Sequence, residues 1–530
     1  MRRKLLLRRR CEQRPLPSWL WGHRWLSIAF QNNAVFAAQR AHMGIWSKLA
    51  VDEVRAESLQ ADSPGSLHRS LGATSLAAIG IGAIVGAGIF VVTGTAAAEN
   101  AGPAIVLSFI VAAAVCLCPA LCYAELAAMI PVSGGAYSYA YLALGELPAW
   151  LIGWILLGEF LSAAATISAS WSAYFVSVLK MVGLHAPRIF LGAPVTLDPA
   201  RHLHLSGAIA DFPAALMVLA IGGVLLSGTR ASARVNNVIV AVKLAVLLAF
   251  VGFGAFYVRP GNWTPFIPPN LGSFGQFGWS GIFRAAAVTF FAFLGFDTVA
   301  TAAREARNPS RDAPLGIVGS LIACTVLYVA VALVLTGLSP YRELAVGDPL
   351  IAALQHTGPM LAVLRPLIGV GALIGLTSVM LVLLFAQSRV LHAMAHDGLL
   401  PPPLGRVRAS AGVPALGIAV ATIATAILGA LLPIELLSEL ISIAALFTLT
   451  AVCLSVLVLR RTQPSLPRPF RVPQAPIIAG IGVLACMYLM LNLPLDTWLG
   501  FCSWVIGGLA IYFGYGSRRS VVADVDGIVD

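Results

Sequence analysis

Apolar residues run through this chain in long stretches rather than at the short period of a half-buried strand or a surface helix. A helix that crosses a bilayer needs about 18 or more such residues. Twelve stretches qualify, near 74–97, 103–128, 148–178, 212–228, 235–257, 281–302, 314–337, 366–390, 413–431, 434–458, 475–493 and 497–515. Polar residues gather in the connections between them. The pattern predicts an all-α polytopic membrane protein of about twelve transmembrane helices.

Composition agrees. Of 530 residues, 58% are hydrophobic and 11% charged, with a mean hydropathy of +0.86. A soluble domain carries roughly a quarter charged residues, so a chain this apolar lacks the polar surface to stay dispersed in water. The net charge of +11 points to a nucleic-acid partner only until its placement is read. Twelve of the 34 Lys and Arg precede residue 70. With the N-terminus inside, fourteen of the others fall on inward connections and the C-terminal tail, and seven on the outward side. The excess of positive charge on inward loops predicts a multi-pass inner-membrane protein with both termini cytoplasmic, and no nucleic-acid partner is expected. Seven of the eight cysteines, all but Cys11, lie within the predicted spans, so no disulfide framework is expected. No Cys/His spacing resembles a metal site, and no role is assigned to the nine histidines.

Residues 1–66 form a basic N-terminal tail, 67–516 the membrane domain and 517–530 a short cytoplasmic tail. Within the first, residues 1–42 hold nine Arg and Lys against the single acid Glu12, without a signal peptide's apolar core or cleavage site. A transit peptide and a lipid-surface segment both fit this composition. The reading preferred on composition is a start-site over-extension, with Met43 the true start.

Two of the spans are interrupted. The first reads Gly80-Ile-Gly82-Ala-Ile-Val-Gly86-Ala87-Gly88-Ile-Phe90, and each glycine weakens a helix by about 1 kcal/mol relative to alanine. Such a cluster at mid-membrane predicts a helix that opens, which survives in hydrocarbon only where something polar occupies the gap. The half-helix beginning after the break offers N–H groups to a carboxylate, and the one ending before it offers carbonyls to an ammonium group. Together they suit an amino acid zwitterion. The competing reading is small-residue packing, because Gly82 and Gly86 form a GxxxG pair. A dinucleotide fingerprint is a much weaker reading, with no preceding strand and no acid about 20 residues on in the right context. The sixth span repeats the interruption in Phe290-Phe-Ala-Phe293-Leu-Gly295-Phe-Asp297-Thr298. Discontinuous segments at equivalent places in two halves predict an inverted-repeat transporter with a midplane site.

Four ionisable residues fall within spans: Glu125, Glu159, Lys243 and Asp297. Each costs about 2.5–3.5 kcal/mol or more at a helix centre, which makes it a functional candidate. Lys243 lies too deep in the fifth span for easy snorkelling, and a lysine there that gains and loses a proton can couple a proton gradient to conformation. Glu159, with Gly158, Ser162 and Thr166 near it, is read as a proton relay or a contact for a substrate side chain. Asp297 either caps the lower half of the sixth helix or acts directly. Glu125 is read as an interfacial or cytoplasmic gate residue.

At these residues the chain resembles the amino acid–polyamine–organocation superfamily, specifically bacterial members of the cationic amino acid transporter family. The resemblance covers residues 68–515. It includes Gly-Ala-Ile-Val-Gly-Ala-Gly-Ile-Phe at 82–90, Cys-Tyr-Ala-Glu-Leu at 122–126, Pro-Val-Ser-Gly-Gly-Ala-Tyr-Ser-Tyr at 131–139 and Asn-Asn-Val-Ile-Val-Ala-Val-Lys at 236–243. Phe-Leu-Gly-Phe-Asp at 293–297, Ala-Arg-Asn-Pro-Ser-Arg-Asp at 306–312, Gln-Ser-Arg-Val at 387–390 and Asp397-Gly-Leu-Leu-Pro401 complete it. The resemblance implies a five-plus-five inverted-repeat fold with helices 1 and 6 unwound. It implies that Ile84, Gly86, Ala87 and Gly88, with Phe291, Ala292 and Leu294, hold the backbone of the substrate. Lys243 would take the place of a sodium ion in related transporters, and Glu159 would serve proton coupling. Two positions depart from the pattern: Ala87 stands where many relatives have threonine, and Arg304 where many have an acid.

The expected function is proton-coupled symport of L-amino acids by alternating access, with no cofactor beyond the proton gradient. An amino acid or amine exchanger of the same fold is the alternative. A membrane enzyme or non-transporting receptor is remote, because no paired acids, metal cluster or large output domain is evident. The expected partners are an L-amino acid and the lipid bilayer. A small single-span membrane partner is left open by the sequence, as is which amino acid is carried.

Overall fold

The computed structural model describes residues 72–517, apart from 131–134, 185–186, 198–201, 227–232, 298, 300–305, 358–362 and 408–412. The predicted tail 1–66 with its Met43 question, Arg304, and the C-terminal tail past 517 lie outside the described residues.

Seven helical runs are long and apolar enough to cross a membrane, and five shorter apolar helices complete the set of spans. The first span is Ala73–Ile84 followed, across a break, by helical turns from Gly88 to Ala101. The second to fifth are Ile105–Met129, Glu146–Met181, Phe212–Leu226 and Ala233–Gly254. The sixth is Gly278–Thr289 with a 3₁₀ turn Phe290–Phe293, and helix resumes at Phe296. The seventh to twelfth are Pro309–Leu338, Leu364–His396, Ala415–Leu431, Ile434–Thr462, Ala475–Leu491 and Leu495–Ile511. Twelve antiparallel crossings bring residues 72 and 517 to one face, called here the near face, and the opposite one is the far face.

Four of the five spans of the first half touch their counterparts five places on. The second lies on the seventh, the third on the eighth and the fourth on the ninth, while the two broken helices touch at their breaks. An odd number of crossings separates the members of each pair, so they run in opposite directions, as a five-plus-five inverted repeat requires. Large apolar side chains such as Leu216, Phe253, Val326, Leu484 and Ile506 stay exposed on the outer faces of the spans. A soluble monomer rarely tolerates so much of that surface; here it is the face that meets acyl chains.

The twelfth span is held to the third by a tryptophan clasp. Trp154 donates to the Trp504 carbonyl (2.8 Å), Trp504 donates to the Trp154 carbonyl (3.0 Å), and their rings stack with centroids 4.7 Å apart. The paired N–H groups are satisfied where no water could do it, which is the condition for burying indoles in a bilayer. One far-face element departs from the all-helical expectation. Between the third and fourth spans the chain forms a short antiparallel hairpin, β1 (Val195–Leu197) against β2 (Leu203–Leu205), with Thr196 opposite His204.

Candidate functional site

Both predicted interruptions are present. Helix Ala73–Ile84 ends at Val85, whose ψ of 97° is extended. The next half-helix starts from the Gly86 carbonyl, which accepts from the amides of Ile89 (3.2 Å) and Phe90 (3.3 Å). The amides of Ala87 and Gly88, in the first turn of that half-helix, have no earlier carbonyl of it to reach. In the sixth span Leu294 turns extended (ψ 148°) and Gly295 takes φ +120°, a value that strongly favours glycine.

The breaks face one another. A Cβ on Gly88 would sit 2.3 Å from the Ala292 Cβ, and one on Gly295 would sit 2.7 Å from the Ala83 carbonyl carbon. The two glycines of the GxxxG pair divide the alternatives between them. Gly82 is a packing position, since a Cβ there would be 2.6 Å from Val240, whereas Gly86 lies at the break with its nearest neighbour, Val379, at 3.6 Å. Ile84, Ala87, Ala292 and Phe291 are buried around this point, and Leu294 is half-buried.

Three side chains from other spans satisfy the opened backbone. Lys243, fully buried, donates from Nζ to the Gly82 carbonyl and to the Val85 carbonyl at 2.9 Å. Those carbonyls end a half-helix, where the backbone dipole leaves partial negative charge for an ammonium group. Tyr328 of the seventh span places its hydroxyl 2.9 Å from the Ile84 carbonyl and 2.8 Å from the Ala292 carbonyl, spanning both breaks with one oxygen. Tyr174 of the third span donates to the Phe90 carbonyl at 2.7 Å. Sequence reasoning found Lys243 and missed both tyrosines, because a tyrosine in an apolar run is indistinguishable in sequence from an interfacial anchor.

Glu159 is 6% exposed, and its Oε2 has no hydrogen-bond partner among the described residues. Thr448 of the tenth span is near enough to interact with it, as is Asp297 electrostatically, yet the Thr448 hydroxyl is also unbonded. Thr166, about two helical turns further along, is buried and leaves its hydroxyl unbonded too. A buried polar group without a partner is costly, so this strip between the third, sixth and tenth spans carries hydrogen-bonding capacity that the described residues do not satisfy. Asp297 occupies the second position of the resumed sixth helix. Gly295 stands just outside the helix start, so Asp297 adds negative charge to the first turn without being its N-cap residue.

Glu125 stands apart from the breaks. It is 1% exposed at the near end of the second span, where Arg460 grips it through Nε (3.0 Å) and a terminal nitrogen (2.5 Å). The Val472 amide donates to it at 2.7 Å, and Arg468 Nε lies 3.5 Å away. The residue is a tether from the second span to the tenth and to the connection that follows it. Among the described residues no group of His, Cys, Asp and Glu has the arrangement of a metal site.

A profile of the amino acid permease family matches residues 71–511. The chain is 42% identical over 467 residues to a methylthioribose transporter of Bacillus subtilis, covering 88% of this chain and 97% of that protein. It is also 42% identical over 456 residues to a branched-chain amino acid permease of the same bacterium, covering 86% and 94%. The mouse cationic amino acid transporter 4 is 36% identical over 423 residues, which is 80% of this chain and 64% of that protein. With paired broken helices, a buried lysine on the freed carbonyls and a family profile spanning the whole membrane domain, the chain is a member of the amino acid permease family of the amino acid–polyamine–organocation superfamily, a transporter and not an enzyme.

Proposed function

We propose that the protein carries L-amino acids across the inner membrane by alternating access, driven by proton symport, with both termini in the cytoplasm. The observation that carries the reading is Lys243 on the carbonyls of Gly82 and Val85. A charged lysine holds the end of the first half-helix through two hydrogen bonds; a neutral one has lost its charge and a proton, and the hold weakens. Protonation and the geometry of the break are thereby linked. The same ammonium occupies the place where a cation would otherwise satisfy the carbonyls, which favours proton over sodium coupling. The unbonded Oε2 of Glu159 offers the proton an acceptor within the bundle.

The amides of Ala87 and Gly88 would receive the carboxylate of the substrate, and carbonyls at the sixth-span break its ammonium group. Ile84, Gly86, Phe291, Ala292 and Leu294 complete the walls. With alanine at 87 the carboxylate is held by backbone alone, without a hydroxyl. Neutral branched-chain amino acids are the first class to test, given the branched-chain permease among the similar proteins. An uncharged solute is the second reading, favoured by the equal identity to the methylthioribose transporter. Methylthioribose has neither ammonium nor carboxylate, so the two readings predict opposite results with leucine.

The experiment is uptake of labelled L-leucine into proteoliposomes under an imposed proton gradient. Accumulation that collapses with an uncoupler and with Lys243→Met supports the proposal. Accumulation that follows a sodium gradient and ignores the uncoupler overturns proton coupling. Uptake seen only when amino acid is preloaded inside turns the assignment to exchange, and uptake of methylthioribose but not leucine moves it to the second reading.

A further inference from the structure

The far face holds two adjoining cavities, of about 310 and 590 Å³, that share Ser177, Lys180 and Asp348 in their walls. The smaller is lined by Val195 and Thr196 of the β1–β2 hairpin and by Asp211. Asp211 is 7% exposed. Its Oδ1 accepts from Ser172 (2.5 Å) and from the Ala214 amide (3.1 Å), which makes it the N-cap of the fourth span. Capping employs one oxygen. Oδ2 has no hydrogen-bond partner among the described residues and is not sealed from the cavity. An asparagine or serine would cap as well without the desolvation cost of a buried charge.

Asp348 lies on the neck between the cavities, with Oδ2 accepting from Ser177 at 2.5 Å. Burial pushes both carboxyls up, and the two serines oppose the shift. Glu435 adds a third acid to the smaller cavity, and exposed Lys180, close enough to act on Asp348, supplies the one cation there. The lining is acidic by two charges, from several loops, and lacks the converging ligands of a metal site.

We propose that this far-face cavity is a docking site for a primary ammonium group, with Asp211 Oδ2 as the acceptor, Asp348 beside it and Lys180 placed to meet a carboxylate when the ligand carries one. It is separate from the two breaks, and it rests on the proposed function only in that an amino acid is the natural zwitterion to use it. A solute held here would be concentrated at the far face before moving inward, its charges oriented by the buried acids and the exposed lysine.

The test uses the purified full-length protein with Cys11 and Cys502 replaced by serine and a reporter thiol at the wall (T196C), labelled by a maleimide. Four probes are compared: L-leucine, 3-methylbutylamine, 4-methylpentanoate and sodium chloride. The amino acid and the amine are expected to slow labelling, while the carboxylate and the salt leave it unchanged. D211N keeps the capping oxygen and removes the charge, and is expected to weaken protection by the amine by about tenfold, as loss of a charged hydrogen-bond partner does. D348N, which touches no cap, is expected to weaken it in the same direction. Protection by salt or by the carboxylate alone, protection that survives D211N, or no protection overturns the site. Leucine uptake on the same preparation separates the two ideas: protection without uptake leaves the docking site standing and removes the transport reading, and uptake without protection does the reverse.

Discussion

Glu125 and Glu159 are both buried carboxylates on membrane helices, and their surroundings are opposite. Glu125 has two arginines and a backbone amide around it; Glu159 has an unbonded oxygen beside an unbonded threonine. The first is held from three directions, which is what a joint between helices needs. The second sits where its partners are incomplete, which is what a group that changes partners during a cycle needs. Burial of charge alone therefore does not mark a working residue. What separates these two is whether their hydrogen bonding is complete.

The largest effect expected is on the joint. Glu125→Ala strands Arg460 and Arg468, and breaking one side of a buried ion pair costs about 3–5 kcal/mol. A marked fall in the melting temperature of purified protein is the check, and Glu159→Gln should leave that temperature nearly unchanged while abolishing accumulation. Were the two substitutions to destabilise equally, the contrast would be lost.

Lys243→Met is expected to end uphill uptake while leaving counterflow exchange measurable, because the break loses its proton-dependent hold but keeps its amides. Tyr328→Phe is smaller. It removes one hydroxyl from two carbonyls, a loss of about 1–3 kcal/mol that should weaken leucine affinity by roughly tenfold without changing the pH dependence. Thermal-shift titration reads the first quantity and uptake across a pH series the second.

The smallest effect concerns pH at the far face. Docking of an ammonium group requires Asp211 and Asp348 ionised. Their carboxyls are raised by burial, so docking should weaken on acidification starting at a higher pH than for a free aspartate. Labelling protection by 3-methylbutylamine, followed downward from neutral pH, checks the sign; protection that strengthens as pH falls contradicts it.

The spans and both breaks were legible in the sequence because each rests on local chemistry. Long apolar runs have no other stable home, and glycine with a polar neighbour in mid-run has few other uses. The sixth helix was expected to continue through 281–302 as one interrupted span, and the structure resolves the interruption to Leu294 and Gly295. What stayed hidden depends on distant pairing. Glu125 shows no partner in the sequence, because Arg460 lies 335 positions away. Tyr328 is 244 positions from Ile84, and no spacing rule links them. The β1–β2 hairpin rests on strands of three residues, too short for their alternation to stand out, and Asp211 was passed over because a single acid outside a span has no signature of its own.

The 2.3 Å clearance that a side chain on Gly88 would leave to Ala292 has a mechanical consequence. Two elements in backbone contact cannot slide past each other by a side chain's width without a clash or a void. Whatever tilting exposes first one face and then the other must carry the broken halves as a single lever, pivoting against the rest of the bundle. A pair of spin labels flanking this contact would report one unchanging separation through the whole cycle, while labels from either half to the third span would report two.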